Sequence, residues 1–202
     1  PCTLNTGFKA SLYSKQELDE NRNKLGFSPD DVVMVYSGSA AGWQSFSVLG
    51  LILGNVLQKG KQFKLLFLSR DDENITQMKS QFPQQVSSQW VPHADVQKVL
   101  AACDYGILFR ENSVTNQVAS PTKFAEYLSA GLPVIISENL GDYSSFVKNE
   151  NCGMVIRPGD EIHLQKQTIS EKQRIIHLAL TNFTKEANKK QYQTLLHQIN
   201  NS

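Results

Sequence analysis

The chain has 202 residues, the size of one domain with an appendage. Its 40% hydrophobic and 19% charged content is ordinary for a sequence that builds a core. A net charge of +1 excludes the basic footprint of a nucleic-acid binder, and no apolar run approaches the roughly 20 residues of a membrane-spanning helix.

Residues 1–14 show no period and read as a lead-in. Ser14 is placed to cap a helix from Lys15 to about Leu25, with Glu17 at the capping-box position and Gly26 after it. Val32 to Tyr36 is a continuous apolar run, the mark of a strand buried on both faces. The small-residue loop Ser37-Gly38-Ser39-Ala40-Ala41-Gly42 follows, then a helix from about Gln44 to Gln58. Strand, small loop and helix are the parts of a phosphate-approach turn, although neither the full dinucleotide fingerprint nor a P-loop ending is present. A tight turn without a ligand is the plainer alternative. Phe63 to Leu68 reads as a second strand, Asp72 to Phe82 as a helix and Val86 to Val91 as a third strand. His93-Ala94-Asp95 opens a helix over about Val96 to Ala102, and Tyr105 to Phe109 is a fourth strand.

Next come Ser120, suited to cap a helix, Pro121 at its first position, and Gly131 just past its end. Leu132 to Ile136 is a fifth strand. Asp142 to Lys148 is a short helix and Met154 to Ile156 a sixth strand. Two helices, Glu171 to about Phe183 and Lys185 to Ile199, complete the chain. Six apolar runs alternating with helices predict an α/β fold, a Rossmann-like doubly wound parallel sheet of about six strands with C-terminal helices. The expected division is a linker and lead-in helix over 1–30, the sheet domain over 31–158 and C-terminal helices over 159–202. With strand order 3-2-1-4-5-6 the first and fourth strands are neighbours, and a ligand belongs in the crevice at their carboxyl ends. The loop at Gly38 and Arg110 both fall there. A salt bridge from Arg110 to Glu111 or Asp104 is the competing expectation for that arginine.

The helix start after Ser120 offers unpaired N–H groups and a partial positive charge. Thr122 adds a hydroxyl and Lys123 an ammonium. Glu126, three residues after Lys123, shares its face. A cation and a carboxylate above an anion site suit a nucleotide, the one taking phosphate and the other ribose hydroxyls. A surface helix with an ordinary Lys–Glu pair is the alternative. Cys2, Cys103 and Cys152 form neither a metal motif nor a disulfide framework, and they point to a reducing compartment. Cys103 and Cys152 read as buried core residues. His163, His177 and His197 have no matching partners, so no metal site is expected.

The run Ser-Pro-Thr-Lys-Phe-Ala-Glu-Tyr-Leu-Ser-Ala-Gly-Leu-Pro-Val-Ile, residues 120–135, resembles the donor-site motif of GT-B glycosyltransferases, most closely glycosyltransferase family 4. Residues 1–2, 32–43 and 91–104 resemble that family's interdomain linker, first strand and loop, and base-covering segment. The resemblance implies the donor-binding half of a two-domain retaining enzyme. Such an enzyme takes a nucleotide-diphosphate sugar as donor, uses no cofactor or metal, and passes a hexose to a glycan or lipid-linked acceptor, as in polysaccharide biosynthesis. It further implies a missing N-terminal acceptor-binding domain of the same chain, low activity of this part alone, no nucleic-acid partner, and a cytoplasmic location with any membrane contact made through the absent half. The opening Pro1 fits a piece of a longer protein.

By position, the resemblance assigns Glu126 and Lys123 as the catalytic pair. Gly38, Ser39, His93, Arg110, Ser120, Pro121, Thr122, Lys123 and Glu126 become the donor-binding set, with Glu126 on the ribose, Lys123 near the diphosphate and His93 at the base edge. Ser39 and Gln44 stand where the family commonly has Arg and Lys, and Val118 where it has a first Glu, so cationic work falls to Lys123 or Arg110. A nucleotide-sugar epimerase or hydrolase on the same fold, and a degenerate nucleotide-binding module, are the competing readings.

Overall fold

The computed structural model describes residues 13–38, 46–110, 122–189 and 193. Ser39, Trp43, Gln44, the Glu111–Gln117 loop, Val118, Ser120 and Pro121 lie outside these residues.

The described elements are α1 (Lys15–Lys24), β1 (Val32–Ser37), α2 (Phe46–Gln58), β2 (Phe63–Leu68), α3 (Glu73–Gln81), β3 (Val86–Ser88), α4 (His93–Ala101), β4 (Tyr105–Leu108), α5 (Thr122–Ser129), β5 (Val134–Ser137), α6 (Gly141–Asn149), β6 (Gly153–Ile156) and α7 (Ile169–Asn182). The strands form one sheet in the order β3-β2-β1-β4-β5-β6, every pair parallel. This is the expected doubly wound topology, with its reversal between β1 and β4.

Alternation along β1 divides the core. Val33 and Val35 pack with Val99 and Leu100 of α4, Phe124 and Leu128 of α5, and Ile175 of α7. Val32 and Met34 pack on the opposite face with Leu53 and Leu57 of α2 and Ile75 and Met78 of α3. Helices therefore cover both faces, which is why the strands read as unbroken apolar runs.

Several boundaries differ from the sequence reading. β3 stops at Ser88. The ladder's last bond runs from the Gln89 amide to Phe67 O at 2.8 Å. α4 begins at His93, with Pro92 in the cap position. β5 begins at Val134, after Pro133. Residues 185–188 form a turn where a helix is expected; of the residues beyond, 189 and 193 are helical.

The amino ends of the central strands are tied by a buried network. Arg22, 5% exposed, donates to Ala102 O at 2.8 Å, to Asp104 Oδ2 at 3.1 Å and to Asp31 O at 2.5 Å. Asp104 also accepts from the Val33 amide at 2.8 Å and the Gln167 amide at 3.2 Å. Lys172 of α7 donates to Ala101 O at 3.2 Å and to Cys103 O. Two cations thus satisfy the carbonyls at the end of α4, where the helix dipole is negative. Asp104 pairs with Arg22 at the amino end of β4, whereas Arg110 follows that strand's carboxyl end.

Candidate functional site at the carboxyl ends of β1 and β4

The helix α5 is fixed from three sides. Phe124 lies 4.8 Å from Tyr143, 5.9 Å from Phe146 and 5.5 Å from Phe183, ring centre to ring centre, which docks α5 against α6 and the end of α7. Gly131 ends the helix at φ +76°, and a Cβ there would lie 2.9 Å from Lys172 Cβ. Glycine therefore serves both the left-handed turn and the close passage of α7. On the third side the Tyr127 ring lies flat on Gly106 of β4, where an added Cβ would come within 2.4 Å of the ring.

So held, α5 presents Lys123 to the end of β1. Lys123 Nζ lies 3.3 Å from Ser37 Oγ and 3.2 Å from Glu126 Oε2. The Glu126 side chain is 2% exposed and that of Lys123 35%, so the carboxylate is buried and the lysine side chain only partly covered. The pair stands in the first turns of α5, at the end where the helix dipole is positive.

Gly38 directly follows Ser37, and a Cβ on it would lie 3.3 Å from Tyr36 Oη. The Arg110 amide donates to Ser137 Oγ at 3.1 Å, so the chain leaving β4 is pinned to the end of β5. The Arg110 side chain is half-buried. His93 is exposed at the start of α4.

The structure therefore brings Gly38, Thr122, Lys123 and Glu126 to the ends of β1 and β4, with the Arg110 backbone beside them. His93 stands at the start of α4, and Ser39, Ser120 and Pro121 fall outside the described residues. Sequence reasoning misses Ser37 and Tyr127. Ser37 reads as the first residue of a loop, yet it is the last of β1 and is buried. Tyr127 reads as part of a motif, with nothing in its spacing to show where its hydroxyl goes.

Among the described residues, a cavity of about 440 Å³ sits at the amino ends of β4–β6, lined by Tyr105, Gly153, Gln165, Gln167, Thr168 and Glu171 among others. Its polar groups are largely spent internally: Tyr105 Oη donates to Gln165 O at 2.9 Å and accepts from Gln167 Nε2 at 2.6 Å. The strand order favours the other end, which is where ligands bind open parallel sheets.

A doubly wound sheet with these helices is the fold of GT-B glycosyltransferases. The glycosyltransferase from Rickettsia africae ESF-5 is 12% identical with a TM-score of 0.71, over 98% of this chain and 56% of its own. Anabaena Alr3699/HepE, solved with UDP, is 17% identical with a TM-score of 0.67, over 96% and 57%. WaaG, a glycosyltransferase involved in lipopolysaccharide biosynthesis, is 17% identical with a TM-score of 0.59, over 90% and 46%. The chain spans about half the length of these structures. No curated protein matches it in sequence. The profile of the glucosyltransferase 3-like, C-terminal domain family matches residues 57–194, and the chain belongs to that family.

Proposed function

We propose that this chain is the donor-binding domain of a retaining glycosyltransferase of the family 4 type. In this reading it holds a nucleotide-diphosphate sugar whose hexose passes to a glycan or lipid-linked acceptor, and a second domain binds that acceptor. The observation that carries the reading is the partly exposed Lys123, held by Glu126 and Ser37 at the β1/β4 switch point.

In this site the leaving diphosphate gains charge as the glycosidic bond breaks, and donors fixed in advance stabilise it. Lys123 supplies a cation, Thr122 and the α5 amides supply hydrogen bonds, and Gly38 lets the first loop approach. Phosphate draws the ammonium off Glu126, and the freed carboxylate accepts from the ribose hydroxyls. Ser39, Ser120 and Pro121 belong to the same set by their place in the motif. Arg110 adds charge from the neighbouring strand end, and His93 borders the base. No metal or cofactor has a part in this scheme.

The family's description as glucosyltransferase-like and the UDP-glucose complex of Anabaena HepE favour UDP-glucose as the first donor to try. Calorimetric titration with UDP, GDP and ADP is the test. One of the three binds the chain, and Glu126→Ala weakens that binding about tenfold or more, the order of one or two hydrogen bonds to a charged group. Unchanged affinity in Glu126→Ala contradicts the assignment.

A further inference from the structure

β1 and β4 are paired only over Met34–Tyr105 and Val35–Gly106. Beyond that point both strands continue, but with other partners. Tyr36 and Ser37 stay paired with Phe67 and Leu68 of β2. Ile107 and Leu108 stay paired with Ile135 and Ile136 of β5. The sheet therefore splits along one seam, at its topological reversal, while remaining whole on either side. A split leaves an N–H on one strand and a C=O on the other without their ladder partners, and buried backbone groups must be satisfied.

One side chain satisfies both. The Ser37 amide donates to Tyr127 Oη at 2.9 Å, and Tyr127 Oη donates to Ile107 O at 3.1 Å. The ring reaches the seam because residue 106 has no side chain, as the 2.4 Å approach to an added Cβ shows. Burial pushes the Tyr127 hydroxyl far above the ordinary tyrosine range, so it remains a neutral group with one proton to give. That proton goes to Ile107 O, and its oxygen is left to accept from Ser37.

We infer that Tyr127 is a positioning residue: its hydroxyl wedges β1 and β4 apart at the seam and so fixes Ser37, and with it Lys123, for the phosphate end of the ligand. The inference rests on the donor-site reading above. It ties together three features that have no common cause otherwise, the short β1–β4 pairing, a glycine inside β4, and a buried tyrosine one residue after Glu126. Ser37 is the hinge of the arrangement. Its amide is held by Tyr127, its hydroxyl meets Lys123 at 3.3 Å, and the loop beginning at Gly38 departs from it.

Tyr127→Phe keeps the ring on Gly106 and removes only the bridge. The probes are nucleoside diphosphates and their monophosphates, UDP with UMP first, then GDP with GMP and ADP with AMP, titrated into the whole chain. For the pair that the unaltered chain binds, Tyr127→Phe weakens the diphosphate about tenfold and the monophosphate less than twofold, because Ser37 and Lys123 serve the outer phosphate. Equal losses for both nucleotides, or a lower melting temperature with both affinities unchanged, show a purely structural tyrosine and overturn the inference.

Should the variant fail to fold, amide exchange on the unaltered chain decides. Diphosphate slows exchange at Ser37 and monophosphate does not; equal protection by both overturns it. If the unaltered chain binds none of the nucleotides, the donor-site reading falls and takes this inference with it. If Lys123→Met weakens the diphosphate while Tyr127→Phe does not, this inference alone falls.

Discussion

Lys172 and Cys103 show how far burial alone sets residue chemistry. Lys172 is 8% exposed, and burial pulls its ammonium down to about 8, with Asp104 opposing. The folded chain therefore binds fewer protons than the unfolded chain between about pH 8 and the ordinary lysine value of 10.5. The stability contributed by this group rises with pH across that window, by ~1.4 kcal/mol for each pH step over which only the unfolded chain holds the proton. Denaturant melts from pH 7 to 10.5 should show a steeper rise for the unaltered chain than for Lys172→Met; parallel curves contradict it.

Cys103 is fully buried, and desolvation pushes its thiol up to about 12. Cys152 is likewise buried and pushed up to about 11. Peptide mapping after brief alkylation should find both unmodified in the native chain and both modified in denaturant. The burial of Cys103 is legible in the sequence from its place at an apolar helix end, and that of Cys152 from its place beside Gly153. Arg22 and Lys172 are not. Each stands in a helix rich in charge, and the carbonyls they cap come from 80 and 71 residues away. Local pattern carries no signal for such partners.

The elements most legible from sequence are those whose ends carry their own chemistry. The capping box at Ser14 and Glu17 forms as expected, with the Glu17 amide donating to Ser14 Oγ at 3.2 Å and the Ser14 amide donating to Glu17 Oε2 at 2.8 Å. Gly131 and the run Phe63–Leu68 fall where their residue types require. Sequence alone carries β3 too far because Trp90 and Val91 have strand propensity while the ladder depends on β2. α1 reads as an unattached lead-in, yet its Arg22 enters the core beside β4. Asp104→Asn or Arg22→Met should cost ~3–5 kcal/mol in denaturant unfolding, the range for breaking a buried ion pair on one side. A change under ~1 kcal/mol would show that α1 merely rests on the surface. Gly106→Ala must displace the Tyr127 ring and should lower stability by ~1–3 kcal/mol, measured in the same way.

Across the whole molecule the two ends of the sheet have different tasks. At the amino ends Arg22, Asp104 and Lys172 lock α1, α4, α7 and the strands into one body. At the carboxyl ends β1 and β4 part, and a cation stands in the gap. The doubly wound class is legible from the alternation of apolar runs and helices, and the observed strand order puts the crevice between Gly38 and Arg110. What spacing does not show is how the gap is held open, because that depends on one hydroxyl reaching across the sheet.

The most direct measurement is an amide chemical-shift titration of the isotopically labelled chain with the nucleotide that binds it in calorimetry. Shifts centred on Ser37, Gly38, Arg110 and residues 122–127 are expected. Shifts centred on Tyr105, Gln165, Gln167 and Thr168 would move the ligand to the amino-end cavity and contradict the account.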